Sequence, residues 1–303
     1  MTPLSPRNQD VRRVTLVGMG GNLALFVVKL LAGLFGNSRA VLADSFHSLG
    51  DLVTDGAILV GVSMWTAPAD ESHPYGHARI ETVISLGIGL LLFGSGVGIA
   101  YDALHSIGAS ERLSPVSPLA FVAACLSLVV KEGLFRWTRR RGNELRSSSL
   151  IANAWHHRSD ALSSLPAAVA AALAVFVPEW GFVDAVGAVA VAVILLGSAG
   201  HIGFSAVNAL IDRSAGEKTN RRIRELVMRV PGVTCMHALR TRTLGTGWAV
   251  DVHIRVDADI TVREGHRIAH QVTAALRENG PDIEDVIVHV EPDDECPQHT
   301  PRQ

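Results

Sequence analysis

Residues 39–65, RAVLADSFHSLGDLVTDGAILVGVSMW, decide how this chain folds. The stretch is long enough to cross a bilayer core of about 30 Å, which takes about 20 residues as a helix. It nevertheless carries Asp44, His47, Asp51 and Asp55. At about 100° per residue these four fall near 0°, 300°, 340° and 20°, which is one narrow stripe of a helix. Because each ionised residue at mid-membrane costs at least about 2.5–3.5 kcal/mol, the stripe indicates a function.

The composition favours a membrane protein around this stretch. The 303 residues are 48% hydrophobic and only 18% charged, with 27 Lys and Arg against 29 Asp and Glu and a net charge of -2. The mean hydropathy is +0.27. Such a balance excludes a disordered polymer and a basic protein that binds nucleic acid. The N-terminal MTPLSPRNQDVRR does not resemble a cleaved secretory signal.

Six stretches meet the length criterion for a membrane span. They are residues 14–36, 39–65, 80–107, 118–137, 150–176 and 182–211. The predicted organisation is an N-terminal tail at 1–13, a six-helix transmembrane domain at 14–213, a small domain at 214–293 and a tail at 294–303.

Basic residues predict the orientation of the spans. They lie before the first span and between the fourth and fifth: Arg7, Arg12, Arg13, Arg139, Arg140, Arg141 and Arg146. The loops GNSR, GASERLSP and VPEWG hold few. The positive-inside rule then places both termini, the 65–79 loop and the C-terminal domain in the cytoplasm of a multi-pass inner-membrane protein.

The last third of the chain predicts a soluble α+β domain of ferredoxin-like type. The expected order is αββαβ, with helices at 217–230 and 261–277 and strands at 234–243, 248–257 and 286–291. Apolar and polar residues alternate from Val250 to Val256, so one sheet face is covered by helices and the other carries Asp251, His253 and Arg255.

The fifth predicted span repeats the pattern of the second. Asn153, His156, Asp160 and Ser164 fall at the same four angles, so both helices present a His-x-x-x-Asp pair. Facing one another, the pairs supply two imidazole nitrogens and two carboxylates, a tetrahedral set suited to Zn²⁺. His157 competes with His156, because it lies about 60° from Asp160 against about 40° for His156.

The alternative interpretation is a polar network that only holds helices together. Two matched His-Asp pairs favour the metal site over that network. Lys29, the single charged residue of the first span, is expected to snorkel or to pair with an acid rather than to bind substrate.

Three motifs, in order along the chain, resemble the cation diffusion facilitator family of divalent-metal/proton antiporters. They are ADSFHSLGD at 43–51, DESHPYGH at 70–77 and NAWHHRSD at 153–160. The resemblance runs from the first span to the C-terminal domain. It implies a homodimer of six-span protomers, each exporting a metal ion from the cytoplasm by alternating access.

The resemblance also implies the ligands. The family's transport site maps onto His47, Asp51, His156 and Asp160. Some bacterial zinc and cadmium transporters of the family have Asp where this chain has His47, and two His with two Asp are associated with zinc. Zn²⁺ is therefore the expected substrate, while Cd²⁺, Fe²⁺, Mn²⁺, Co²⁺ and Ni²⁺ stay open.

Two further metal sites follow from the resemblance. The family binds metal in the loop at positions matching Asp70, His73 and His77, which would otherwise indicate only a solvated loop. Its cytoplasmic ligands, regulatory in the present interpretation, match His237, His253, His266, His289 and Glu291. The alternative there is an exposed polar sheet face. Arg79 and Asp212 match a charge pair that locks the family's dimer at the membrane surface.

The expected activity is zinc efflux coupled to proton entry. Imidazole must be neutral to ligate a metal, so metal and proton compete near neutral pH. An intramembrane metalloenzyme is the first alternative, but the chain has no HExxH and four ligands leave no open coordination position. A passive channel is the second, and a tight four-ligand site would hold ions too long for it.

Overall fold

A computed structural model describes residues 6–108, 115–145, 148–245 and 247–293. The predicted C-terminal tail at 294–303 and residues 1–5 of the predicted N-terminal tail lie outside the described residues. The chain divides into two compact units. The first comprises Met1–Gly61 with Ile84–Gly203, and the second comprises Val62–Val83 with Phe204–Gln303.

Long helices form the first two thirds of the chain. They are α1 Pro6–Phe35, α2 Arg39–Trp65, α3 Arg79–Gly108, α4 Pro118–Glu144, α5 Ser148–Ser163, α6 Leu165–Phe176 and α7 Phe182–Leu210, with a short 3-10 turn at Pro178–Trp180. Five segments of the described residues are long and apolar enough to cross a membrane: Arg13–Phe35, Arg79–Ile107, Pro118–Glu144, Asn153–Phe176 and Phe182–Leu210. With 27 residues, α2 is about 40 Å long, enough to cross a bilayer core of about 30 Å, and it carries the polar stripe.

Two boundaries differ from the sequence prediction. Helix α1 begins at Pro6 rather than Val14, because hydropathy detects the apolar part of a helix and not its polar first turns. The fifth span is two helices, α5 and α6, which meet at Ser164. Pro166 has no backbone N–H to donate to residue 162, so the helical hydrogen-bond ladder is interrupted there.

Small residues and one buried acid hold the first unit together. Its buried clusters are rich in alanine, including Ala40, Ala167 and Ala188, and such small side chains let helices approach closely. Asp184 of α7 caps α2: its Oδ2 accepts from Arg39 N at 2.6 Å, and its Oδ1 accepts from the Ser38 hydroxyl at 2.6 Å. The start of α2 is therefore fixed against α7.

The C-terminal part is the predicted αββαβ domain. Its elements are α8 Glu217–Met228, β1 Cys235–Leu244, β2 Gly247–Val256, α9 Val262–Asn279 and β3 Ile283–Pro292. The sheet order is β1-β2-β3, with β1 antiparallel and β3 parallel to β2. The predicted fold class, a helical membrane domain followed by a small α+β domain, is confirmed, and five of the predicted spans meet the length and hydropathy criteria among the described residues.

The alternation of β2 places its residues as predicted. Val250, Val252 and Ile254 are buried against α8 and α9, in a core that includes Ile268 and Val272. The intervening residues Asp251, His253 and Arg255 lie on the opposite, half-exposed face. That face carries the chemistry described below.

Candidate metal sites

The second and fifth spans bring three of the four predicted transport ligands together. Ligand atoms of His47, Asp51 and Asp160 all lie within 4.8 Å of one another. His47 and Asp160 are buried and Asp51 is half-buried. Ser163 Oγ lies 2.9 Å from His47 Nε2 and donates to the Asp160 carbonyl at 2.9 Å. Two carboxylates and an imidazole converging inside a bundle form a donor set for a divalent cation.

The fourth predicted ligand borders the same cavity. His156 lines a cavity of about 280 Å³ together with His47, Asp51 and Asp160. Its Nδ1 lies 3.6 Å from Asp160 Oδ1, and its side chain is half exposed. His157 is buried elsewhere, against Gly18 of α1. A side chain at position 18 would place its Cβ only 3.2 Å from His157 Nε2. Of the two neighbouring histidines, His156 is thus the one that faces the described cavity.

A lysine that sequence analysis left without a role lies beside these carboxylates. Lys131 of α4 is 1% exposed, and its Nζ lies 3.6 Å from Asp160 Oδ2 and 3.9 Å from Asp51 Oδ2. Among the described residues it has no hydrogen-bond partner. Its charge inside the fourth predicted span was a signal in the sequence, but its partners were not predictable, because only tertiary packing brings α4 against α5.

A second buried lysine belongs to a different network. Lys29 Nζ donates to Asp44 Oδ2 at 3.0 Å and to the Asp44 carbonyl at 3.2 Å, and it also contacts the Ser48 hydroxyl. Ser164 Oγ donates to Asp44 Oδ1 at 2.7 Å. Asp44, although on the stripe with His47 and Asp51, is therefore engaged by Lys29, as the pairing alternative for that lysine predicted. The side chain of Asp55 lies outside the described part of the chain.

The three predicted loop ligands also converge. Ligand atoms of Asp70, His73 and His77 lie within 4.8 Å of one another. Asp70 Oδ1 accepts from the Ser72 hydroxyl at 2.8 Å and from the His73 backbone N–H at 2.7 Å, and these hydrogen bonds lower the pKa of Asp70 to about 2. Gly76 makes the turn at φ 78°, donating to the His73 carbonyl at 2.9 Å. The loop thus holds an ionised carboxylate beside two imidazoles.

Four of the five predicted C-terminal ligands form a row across the sheet. His237 pairs with His253 between β1 and β2, and His253 pairs with His289 between β2 and β3. Glu291 lies 3.1 Å from His237 Nε2, 2.8 Å from His253 Nδ1 and 3.7 Å from His289 Nε2. The hydrogen bond with His253 lowers the pKa of the Glu291 carboxyl group. The nearby His237 and His289 lower it further.

The fifth predicted C-terminal ligand lies apart from that row. His266 is on α9, which packs its Ile268 and Val272 against the buried face of β2, whereas His253 occupies the other face. It instead places its Nε2 3.0 Å from Nε2 of His270, one turn along the helix. Within one chain His266 does not join the other four, because the sheet separates them.

The predicted charge pair forms within one chain. Arg79 Nη2 contacts Asp212 Oδ1, and both side chains are about half exposed. An exposed pair of this kind contributes little to the stability of a single chain.

Comparison with known proteins identifies the family. Residues 15–211 match the profile described as the cation efflux transmembrane domain, and residues 215–293 match that of the cation efflux protein cytoplasmic domain. The chain therefore belongs to the cation diffusion facilitator family of divalent-metal efflux transporters, and the predicted family is confirmed. It is accordingly a multi-pass membrane protein.

Two relatives similar over most of this chain agree with this placement. Metal tolerance protein C1 of Arabidopsis thaliana is 31% identical over 94% of this chain, which spans 63% of that longer protein. Manganese efflux system protein MneP of Bacillus subtilis (strain 168) is 29% identical over 95% of this chain and 98% of its own. A solved MamM C-terminal domain is 37% identical, covering 25% of this chain and 95% of its own with a TM-score of 0.25.

Family membership decides one of the alternatives. The family consists of transporters, so the prediction that the chain is not an enzyme is confirmed and the metalloenzyme interpretation is wrong.

Proposed function

We propose that the chain exports Zn²⁺ from the cytoplasm in exchange for protons, using His47, Asp51, His156 and Asp160 as the transport ligands. The observation that carries the proposal is the convergence of the His47, Asp51 and Asp160 ligand atoms within 4.8 Å. His156 borders the same cavity and completes the set after a small side-chain movement. Membership in an efflux family supports the direction of transport.

The donor chemistry supports zinc over manganese. Two imidazoles with two carboxylates suit Zn²⁺, whereas Mn²⁺ prefers a set dominated by oxygen. The similarity to MneP, which is named for manganese efflux, makes Mn²⁺ the second candidate cargo.

Proton exchange follows from the ligand type. A protonated imidazole cannot ligate a metal, so protons arriving from the outer side compete with the ion and favour its release. The positive-inside distribution of arginines supports an inner-membrane protein with both termini in the cytoplasm.

The loop and sheet clusters are proposed as regulatory zinc sites. Asp70, His73 and His77 supply three ligand atoms in one loop. His237, His253 and Glu291 supply three on the open sheet face, with His289 beside them. The match to the cytoplasmic domain of cation efflux proteins supports a homodimer assembled through this domain, with Arg79 and Asp212 contributing at the membrane surface.

Metal flux into proteoliposomes with an imposed pH gradient tests the transport site. Asp51→Ala and Asp160→Ala should each reduce zinc flux at least about a hundredfold, because each removes a charged ligand. Glu132→Gln is the matched control, since Glu132 is an acid on α4 paired with Arg136 outside the cluster. Unchanged flux in both ligand variants would remove the site, and flux that ignores the pH gradient would remove antiport.

The neighbouring histidines provide a matched pair. His156→Ala should reduce zinc flux strongly, whereas His157→Ala should leave the zinc KM unchanged, because only His156 lines the cavity. The reverse result would reassign the fourth ligand. Manganese flux measured beside zinc flux in the same vesicles decides between the two cargoes.

Calorimetric zinc titration tests the loop site. His73→Ala should bind one zinc ion fewer than the wild-type chain, and an unaltered stoichiometry would eliminate the site. Ser214→Ala is a suitable control, because Ser214 contacts Thr241 away from the three metal clusters.

A further inference from the structure

We infer that Lys131 is a fixed counter-charge behind the transport site, which orients the two carboxylates and limits how tightly they hold the metal ion. The inference deepens the proposed function and rests on Asp51 and Asp160 being transport ligands. It assigns a role to a buried cation that supplies no metal ligand in its ammonium form.

Lys131 faces one oxygen of each carboxylate. Its Nζ approaches the Oδ2 atoms of Asp160 and Asp51, at 3.6 and 3.9 Å. Asp160 Oδ1 instead faces His156, whose Nδ1 is 3.6 Å away. Lys131 does not border the described cavity, while both acids do. Lys131 and the proposed ligand His156 therefore face different oxygens of Asp160.

The contacts of Lys131 with the two acids are longer than hydrogen bonds. At 3.6 and 3.9 Å, the attraction is Coulombic and is shared between both carboxylates. Asp160 is buried and Asp51 is half-buried, so the two carboxylates repel each other, and a cation between them offsets that repulsion when no metal is bound.

Charge balance determines the effect of Lys131 on a bound ion. Two carboxylates neutralise one divalent ion, so the ammonium charge is in excess once the metal is bound. Like charges repel in a protein interior, so Lys131 weakens metal binding. A transporter needs such weakening, because an ion held too tightly cannot leave.

Transport kinetics of Lys131→Met and Lys131→Arg test the inference in the full chain. In Lys131→Met the zinc KM should fall at least about fivefold and the maximal rate should fall with it, because binding tightens and release slows. Lys131→Arg keeps the charge, and its KM should stay within about twofold of wild type. A merely structural lysine would lower the rate in the Met variant without lowering KM, and that result would overturn the inference.

Thermal unfolding in detergent provides a second test of the role of Lys131, which applies even when Lys131→Met is less stable than wild type. Without metal, this variant should be less stable than wild type, and saturating zinc should stabilise it by a larger increment than it stabilises wild type. An equal or smaller increment would overturn the inference. A different result tests the proposed function: unchanged zinc flux in both Asp51→Ala and Asp160→Ala would remove the transport site itself.

Discussion

Two buried lysines in the helical unit each face an acid of α2, and Lys131 also faces Asp160 of α5, yet their surroundings differ. Lys29 lies at hydrogen-bonding distance from Asp44, and Ser164 donates to the other oxygen of that carboxylate. Lys131 lies beyond hydrogen-bonding distance from Asp51 and Asp160. The first lysine is held in one hydrogen-bonded arrangement, whereas the second is held only by longer-range attraction to two acids. The two pairs therefore suit different roles: a structural link for Lys29, and for Lys131 the counter-charge proposed above.

The largest expected effect is the loss of stability when Lys29 is replaced. Lys29→Met leaves Asp44 buried without its cation, which should reduce the free energy of unfolding by about 3–5 kcal/mol. Denaturant unfolding in detergent, with and without zinc, measures this. Zinc should stabilise the variant and wild type by equal increments, because Asp44 is not a proposed ligand. A larger stabilisation of the variant by zinc would show that Lys29 also acts on the metal site, so the two networks would not be separate.

The next effect comes from replacing a whole pair. Lys29→Met with Asp44→Leu should recover at least about 2 kcal/mol of that loss, because apolar replacement of a buried pair is often nearly neutral. Lys131→Met with Asp160→Leu should recover no zinc flux, because the ligand is gone. Recovery of flux in the second double variant would show that Asp160 only balances Lys131.

The adjacent residues Ser163 and Ser164 should have smaller effects, one on zinc KM and the other on stability. Ser164→Ala removes a donor to Asp44 and should cost about 1–3 kcal/mol of stability with an unchanged zinc KM. Ser163→Ala removes the group that lies 2.9 Å from His47 Nε2. Because a metal ion at that nitrogen has to break this contact, the zinc KM should fall about threefold with little loss of stability. Exchanged phenotypes would contradict the division between the networks.

The smallest effect is at the surface of α4. Arg136 pairs with Glu132 at 2.8 Å, but the arginine side chain is 77% exposed. Arg136→Ala should therefore change the free energy of unfolding by no more than about 1 kcal/mol, measured in the same unfolding experiment. A loss as large as that of Lys29→Met would mean that burial is not what separates these pairs.

Much of the fold was predictable because its signals are local. Span length, and the alternation from Val250 to Val256, each require only a short window of sequence. Helical angles likewise selected His47 and Asp51 on one helix and Asp160 on another before any tertiary structure was considered. The division of the fifth span was also accessible, since Pro166 stands in the middle of it.

The remaining features depend on which helices pack together. Asp44 shares the stripe of His47 and Asp51, and only the position of Lys29 shows that it is engaged elsewhere. Lys131 is remote in sequence from both acids that it faces. His266 shares the residue type of the sheet cluster but lies on the helix-covered side, which composition cannot reveal.

The junction between α5 and α6 has a mechanical consequence. Asp160 and His156 belong to α5, while α6 begins at Leu165 and carries Pro166 in its first turn. In an unbroken helix, tilting one half against the other stretches a backbone hydrogen bond at every residue of the bend. Proline has already removed one of those bonds, so a bend at this junction loses less than it would elsewhere in the span. The fifth span is therefore easiest to bend just beyond His156 and Asp160, two of the proposed transport ligands.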